Sequence, residues 1–437
     1  MIRIVFVLVA LLAAIVQLVE ERPAHAEAAA GANVRELTLE QALALAKKAN
    51  RGLVADRARL LQAQATVDRA WTVLFPTVVA QGRYTRNSDQ FAFQTAPGTV
   101  LTIQPWNQLD GVVQATMPLL VPAAYPALKA VNMNRTVTEE NVRATENNVL
   151  FTVAQTFYSA AIADEVVGVR KSNIEVARAT LANAKTRFAS GAVTKVDVER
   201  AEVAFLRAEQ FAREAVLGRE QTYRALGTLI QLDGAFQVHA PPPAEPTATK
   251  TPDDLGMTLR LRPEFRALEA TVAAEEAEVR SHGWRWAPSL SGFGNARIFN
   301  YDNFARKSYS WAAGVQLDWV IYDQGVRDTQ RRMAAAIAVE VAARADALRD
   351  SIRDDLANGR RQLETKTQAQ QTFERSVQLA RNTLELVRIQ YEAGQGTQVD
   401  LLQAQDSLVA AQEALAQAHL DVAVADLTLR RAAGTFP

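Results

Sequence analysis

Apolar and polar residues alternate with a period of two in four segments of the chain. In TVVAQGRYTR, Val78, Ala80 and Tyr84 alternate with Gln81, Arg83 and Thr85. In GVVQATMPLL, Gly111, Val113, Ala115, Met117 and Leu119 alternate with Val112, Gln114 and Thr116. PSLSGFGNARIF sets Leu290, Gly292, Gly294, Ala296 and Ile298 against Ser291, Asn295 and Arg297. WAAGVQLDWVIY sets Trp311, Ala313, Val315, Leu317, Trp319 and Ile321 against Gln316 and Asp318. Successive strand residues point to opposite faces, so this spacing predicts strands near 77–86, 109–120, 289–299 and 310–321.

Elsewhere the pattern is helical. Proline is absent from Ala127 to Ala240 and from Ser289 to Phe436, and glycine is sparse there, as a long uninterrupted helix requires. The segments near 123–190 and 325–393 each predict an α-helix of about 100 Å. Helices of ordinary length are expected after them, near 194–230 and 397–433, and before the strands, near 52–73 and 263–283. Thr38 and Gln41 form a capping box ahead of a further short helix. On the last helix Leu401, Leu408, Leu415, Val422 and Leu429 recur every seven residues, as do Ala404, Ala411, Ala418, Ala425 and Ala432. That is a heptad seam in which alanine lets neighbouring backbones approach closely. Gln403, Asp406, Gln417 and Asp421 lie opposite it. An ordinary two-stranded coiled coil would show the same periodicity.

RFASGAVTKVDVERA (187–201) and QYEAGQGTQVDLLQA (390–404) are one turn written twice: Gly191 falls on Gly394, Thr194 on Thr397 and Asp197 on Asp400. Pro76 falls opposite Pro288, and Gln114 opposite Gln316. The chain therefore divides into a first repeat over 27–240 and a second over 255–437, joined by a Pro-rich connector at 241–254. Each repeat runs helix, strand, strand, very long helix, turn, helix.

Composition narrows the function. Among 437 residues, Lys plus Arg and Asp plus Glu number 48 each, which offers no footprint for nucleic acid. There is no cysteine, so thiolate metal sites, disulfides, a cysteine nucleophile and a lipid-modified N-terminal cysteine are all excluded. Arg3, the apolar run Ile4 to Val16 and Ala24-His25-Ala26 read as a signal peptide over 1–26. An uncleaved anchor fits less well, because Glu20, Glu21 and Arg22 interrupt the run. His25, His239, His282 and His419 have no second ligand at helical spacing, and neither HExxH nor Gly-x-Ser-x-Gly occurs. No catalytic residue, metal site or cofactor is therefore expected.

The four strands suit a tilted bilayer crossing, with polar residues on the alternate face. A half-buried soluble sheet alternates in the same way. Export, aromatic residues near the strand ends (Tyr84, Trp311, Trp319, Tyr322) and a long polar–aromatic connection at 87–107 favour the membrane. Four strands cannot close, and a sheet in lipid tolerates no free edge. Three copies would give twelve strands and a passage, continued by twelve helical columns about 100 Å long.

With Arg-Pro-Glu-Phe at 262–265, Val-Ile-Tyr-Asp-Gln-Gly at 320–325, the G-x-x-T-x-V-D turns and the duplicated element order, the mature chain resembles the TolC family of outer-membrane efflux proteins. The resemblance implies a mainly α fold with a membrane β-barrel. Long helical hairpins form an α-barrel, and four transmembrane strands per chain are completed by a homotrimer to a 12-stranded barrel. It also implies contact with outer-membrane lipid, a periplasmic adaptor and an inner-membrane pump, in efflux or type I secretion. The competing reading is a periplasmic helical-hairpin adaptor or scaffold without a channel.

By capping logic, Gly191 and Gly394 end the long helices, Thr194 and Thr397 are N-caps, and Asp197 and Asp400 complete capping boxes. The resemblance adds that such turns dock the adaptor, with Gly191, Thr194, Asp197, Gly394 and Thr397 as docking positions. It also places a closed entrance at Tyr391, Asp400 and Gln403. The family's best-known entrance combines a tyrosine, an arginine and two aspartates. Here the arginine position is Gly396 and the second aspartate position is Gln403, which leaves a ring of Asp400 carboxylates as a cation-preferring constriction.

Overall fold

The computed structural model describes residues 35–96, 99–239, 254–301 and 307–436. The expected signal segment at 1–26, and the connector at 241–254 apart from Asp254, lie outside the described residues.

The described residues begin with β1 (Arg35–Leu37), α1 (Leu39–Ala49) and α2 (Arg51–Trp71), then β2 (Thr77–Arg86), β3 (Phe91–Ala96), β4 (Thr99–Gln104) and β5 (Asn107–Leu120). It continues through α3 (Ala124–Ala189), α4 (Lys195–Ile230) and β6 (Phe236–Val238). The second half has α5 (Leu255–Leu261), α6 (Pro263–Trp284), β7 (Ser289–Phe299), β8 (Tyr309–Asp318), α7 (Val326–Glu392) and α8 (Gln398–Ala432). Among the described residues, Arg35–Glu36 and Gly234–Gln237 form a small unit of their own, and the rest forms one large unit. The short strands β1 and β6 pair as a two-stranded ribbon that the sequence pattern does not announce.

In the large unit, α3 has 66 residues and α7 has 67, about 100 Å each. Each is flanked by two shorter helices meeting end to end. Asn50, the N-cap of α2, accepts from Gly52 N at 2.9 Å and donates its Nδ2 to the Leu229 carbonyl in the last turn of α4, 3.1 Å away. Arg262 stands at the equivalent joint of the second half, where its Nη1 donates to the Ala432 carbonyl of α8 at 3.3 Å. Donors from an opening helix thus satisfy carbonyls that the end of a returning helix leaves without partners.

The helices pack closely because so much of the contact is alanine. Ala404, Ala418, Ala425 and Ala432 of α8 are buried, with Leu401 and Leu429, while Leu408, Leu415 and Val422 are partly covered. Leu429 joins Leu259, Phe265, Ile352, Leu356 and Leu363 in a core cluster. Gly359 of α7 lets that helix approach: a Cβ there would lie 3.3 Å from Leu429 Cδ1 and 3.5 Å from its Cα. A charged contact crosses from α3 to α6, where buried Glu140 accepts from Arg143 and Arg266.

The main sheet is antiparallel in the order β2-β5-β7-β8. Thr77 pairs with Thr116 in the first half and Ser289 with Asp318 in the second, while β5 and β7 join the halves. The strands β2 and β8 are left as edges, and apolar residues such as Val78, Trp311, Val315 and Leu317 stand exposed. Two features differ from the sequence pattern. The connection at 87–107 carries its own hairpin, β3 with β4, whose strands are too short to stand out from a polar–aromatic loop. The fourth strand, expected to reach residue 321, stops at Asp318, because its neighbour β7 begins at Ser289 and offers nothing beyond. No helix among the described residues is long and apolar enough to cross a membrane.

Gly359→Val should overpack the α7–α8 contact and cost about 1–3 kcal/mol. Thermal unfolding followed by circular dichroism should show a lowered midpoint with unchanged helix content at low temperature.

Candidate functional site

Two tight turns link the long helices to their returning partners. After α3, Gly191 adopts φ 75°, a left-handed conformation that costs glycine little and a side-chain-bearing residue more. Ala192 N reaches back to the Arg187 carbonyl at 2.8 Å and Gly191 N to the Phe188 carbonyl at 2.9 Å, satisfying carbonyls at the helix end. Gly394 repeats this with φ 75°, and Gln395 N and Gly396 N both donate to the Gln390 carbonyl, at 2.9 and 3.1 Å.

Each turn then starts the next helix through a reciprocal cap. Thr194 N and Oγ1 donate to Asp197 Oδ2 at 3.0 and 2.7 Å, and Asp197 N donates back to Thr194 Oγ1 at 3.4 Å. Thr397 N and Oγ1 donate to Asp400 Oδ2 at 3.2 and 2.6 Å, and Asp400 N returns a bond to Thr397 Oγ1 at 3.2 Å. The threonine hydroxyl and then the threonine backbone N–H hold both carboxyls below the usual carboxylate range. Both aspartates are therefore ionised at neutral pH, at a helix N-terminus that favours negative charge.

The second turn carries more than caps. Tyr391 is buried, and its hydroxyl has no hydrogen-bond partner among the described residues. Against it lies Arg187 of the first turn: Nη1 donates to the Tyr391 carbonyl at 2.9 Å, and the guanidinium sits 4.6 Å from the ring centroid. The two hairpins are clasped at their tips by an arginine and a tyrosine from different repeats. Sequence reasoning looked for the arginine within the second turn and missed Arg187. The available signal was the repeat alignment, which sets Arg187 against Gln390 and Phe188 against Tyr391. Gly396 packs closely against the end of α7: a Cβ there would lie 3.1 Å from Tyr391 N and 3.3 Å from the Gln390 carbonyl carbon. Gln403 and Asp400 are exposed. Gln398, which the sequence reading passed over, is buried with both amide atoms unpartnered among the described residues.

Among the described residues no cluster of three or more His, Asp or Glu side chains is placed to hold a metal. The arrangement is a pair of rigid helix tips bearing fixed carboxylates, joined by a cation–π contact.

Solved channels share this fold. The outer membrane channel MtrE of Neisseria gonorrhoeae, in its open state, superposes with a TM-score of 0.75 at 20% identity, over 91% of this chain and 88% of that one. CusC, solved in the context of transmembrane channel formation, gives a TM-score of 0.80 at 16% identity over 95% and 98%. The chain belongs to the outer membrane efflux protein family, whose model matches residues 42–235 and again 255–435. Membership places it in the outer membrane of a Gram-negative envelope, extending into the periplasm. The outer membrane efflux protein BepC of Brucella suis biovar 1 (strain 1330) is 25% identical over 303 residues, 68% of this chain. The match spans 65% of that curated relative's length.

Because the folded-state pKa values of Asp197 and Asp400 are depressed, the cap contribution is fully present above the unfolded carboxylate value of about 3.9 and is lost as pH falls through the folded value. Corrected for intrinsic rates, amide exchange in the first turns of α4 and α8 should be flat from about pH 5 to 8 and accelerate below about pH 4. Thr397→Val should raise exchange at α8 alone and blunt its acid response.

Proposed function

We propose that this protein is the outer-membrane channel of a tripartite efflux or type I secretion assembly. Substrates handed over by an inner-membrane pump through a periplasmic adaptor leave passively through it. Three copies complete a twelve-stranded barrel above a tube of helical columns. The observation that carries this reading is the pairing of an open four-stranded sheet, exposed on its apolar face, with two helical hairpins of equal length in each chain. A sheet with two free edges is complete in lipid only when copies join. The double match to the family model and the equivalent joints at Asn50 and Arg262 support an internal duplication.

In this reading the turns at Gly191, Thr194 and Asp197 and at Gly394 and Thr397 are the tips an adaptor meets. The entrance is set by Tyr391, Asp400 and Gln403. The clasp between Arg187 and Tyr391 keeps the hairpin tips together, and opening requires its release. The Asp400 carboxylates, exposed and ionised, favour cations at the mouth.

Purified in mild detergent, the protein should have the mass of a trimer by light scattering and conduct in planar bilayers; a monomer would end the proposal. Arg187→Ala should raise single-channel conductance several-fold, and an unchanged conductance would reduce the clasp to a packing contact. Asp400→Asn keeps an N-terminal acceptor while deleting the charge, so cation-over-anion permeability should fall without loss of folding.

A further inference from the structure

We propose that β8 of one chain pairs antiparallel with β2 of a second copy in one defined register, with Leu317 opposite Gly82 and Trp319 opposite Ala80. This pairing extends the strand through Tyr322. The inference rests on the trimeric reading above and specifies the interface.

The register follows from the equivalence of the two halves. Aligning Pro76 with Pro288 places Thr77 on Ser289, and aligning Gln114 with Gln316 places Thr116 on Asp318. The observed pairs Thr77↔Thr116 and Ser289↔Asp318 are therefore the same contact in both halves. The same offset as Pro76 to Pro288 carries Asn50 onto Arg262, the two helix joints. With the halves equivalent, the junction between them is a template for the junction between copies: β8 stands to the next β2 as β5 stands to β7. The template pairs are Ala115↔Gly294, Met117↔Gly292 and Pro118↔Ser291, then a bulge and Leu120↔Leu290. Transferred, they become Leu317↔Gly82, Trp319↔Ala80, Val320↔Val79 and, after the bulge, Tyr322↔Val78.

Side-chain chemistry, which took no part in that derivation, agrees with it. The register sets Val315 beside Tyr84, Leu317 beside Gly82 and Trp319 beside Ala80, large against small along one apolar face. On the other face Gln316 meets Arg83 and Asp318 meets Gln81, leaving Asp318 diagonal to Arg83. A slip of one residue would bring Trp319 and Leu317 against the polar set of β2.

The pairing also accounts for the apolar overhang. Ile321 is 75% exposed and Tyr322 81% exposed, and Trp319 and Val320 are exposed as well. Their counterparts Met117 to Leu120 are strand because β7 lies beside them. The overhang is firmly rooted. Trp319 Nε1 donates to the Trp286 carbonyl at 3.2 Å, and Arg327 is fixed by Asp323 at 2.8 Å with its guanidinium 4.1 Å from the centroid of the Trp286 ring. It lacks only a strand partner, and the unpaired edge of β2 in a second copy supplies one.

The chain has no cysteine, so introduced pairs report only the designed contact. Gln81→Cys with Asp318→Cys is the matched pair; Gln81→Cys with Gln316→Cys, or with Val320→Cys, is shifted by two residues. After diamide oxidation of the detergent-purified trimer, the matched pair should give covalent trimer on non-reducing gels at about ten-fold or more the yield of either shifted pair. Gly82→Cys with Leu317→Cys is a second matched pair should the first fail to assemble. In the unmodified trimer, the amides of 319–322 that face β2 should exchange as slowly as those of β8. A shifted pair linking best overturns the register, and a trimer in which no pair links and those amides exchange freely overturns the pairing. A monomer by light scattering fails earlier, overturning the channel reading and this inference together.

Discussion

The structure turns on an unmet requirement: the outer edges of β2 and β8 carry rows of backbone N–H and C=O groups with no strand partner among the described residues. In hydrocarbon each unpaired group costs several kcal/mol, and no water is there to relieve it. In the proposed assembly the sheet is completed as part of a larger ring. That requirement explains why exposed valine, leucine and tryptophan on the strands are not a folding defect. It also gives the duplication a use. When the two halves present equivalent strands, the joint that unites them within one chain is a template for the proposed joint between chains.

Below the sheet a different economy applies. Columns about 100 Å long cannot have a thick core, so they are held by a seam of alanine and glycine that brings backbones near one another, with leucine and isoleucine filling the gaps. The shorter helices match the long ones only because they meet end to end. At those joints Asn50 and Arg262 do the same task with different chemistry, an amide in one half and a guanidinium in the other. Duplication preserved the geometry and let the donor change.

The tips show the same divergence with a structural consequence. Gly, Thr and Asp are shared because the turn geometry demands a left-handed residue, an N-cap and a carboxylate at the helix start. What lies outside that demand has drifted: Arg187 against Gln390, Phe188 against Tyr391, Val193 against Gly396. The drift produced a complementary pair, an arginine in one hairpin and a buried tyrosine in the other. Shared residues build the turns, and unshared residues connect them.

The amino-acid sequence by itself determined the elements and their order, since these are local matters. Period-two alternation marks β2, β5, β7 and β8, freedom from proline marks α3 and α7, and the Gly–Thr–Asp spacing marks both turns. Anything set by neighbours distant in the chain was beyond its reach. The clasp of Arg187 on Tyr391 joins residues about two hundred positions apart. The end of β8 at Asp318 depends on where β7 begins, and the β1–β6 ribbon joins segments too short to carry a period. Local propensity writes a strand or a helix into a few consecutive residues, whereas a contact exists only once packing has chosen which of many compatible partners stands opposite.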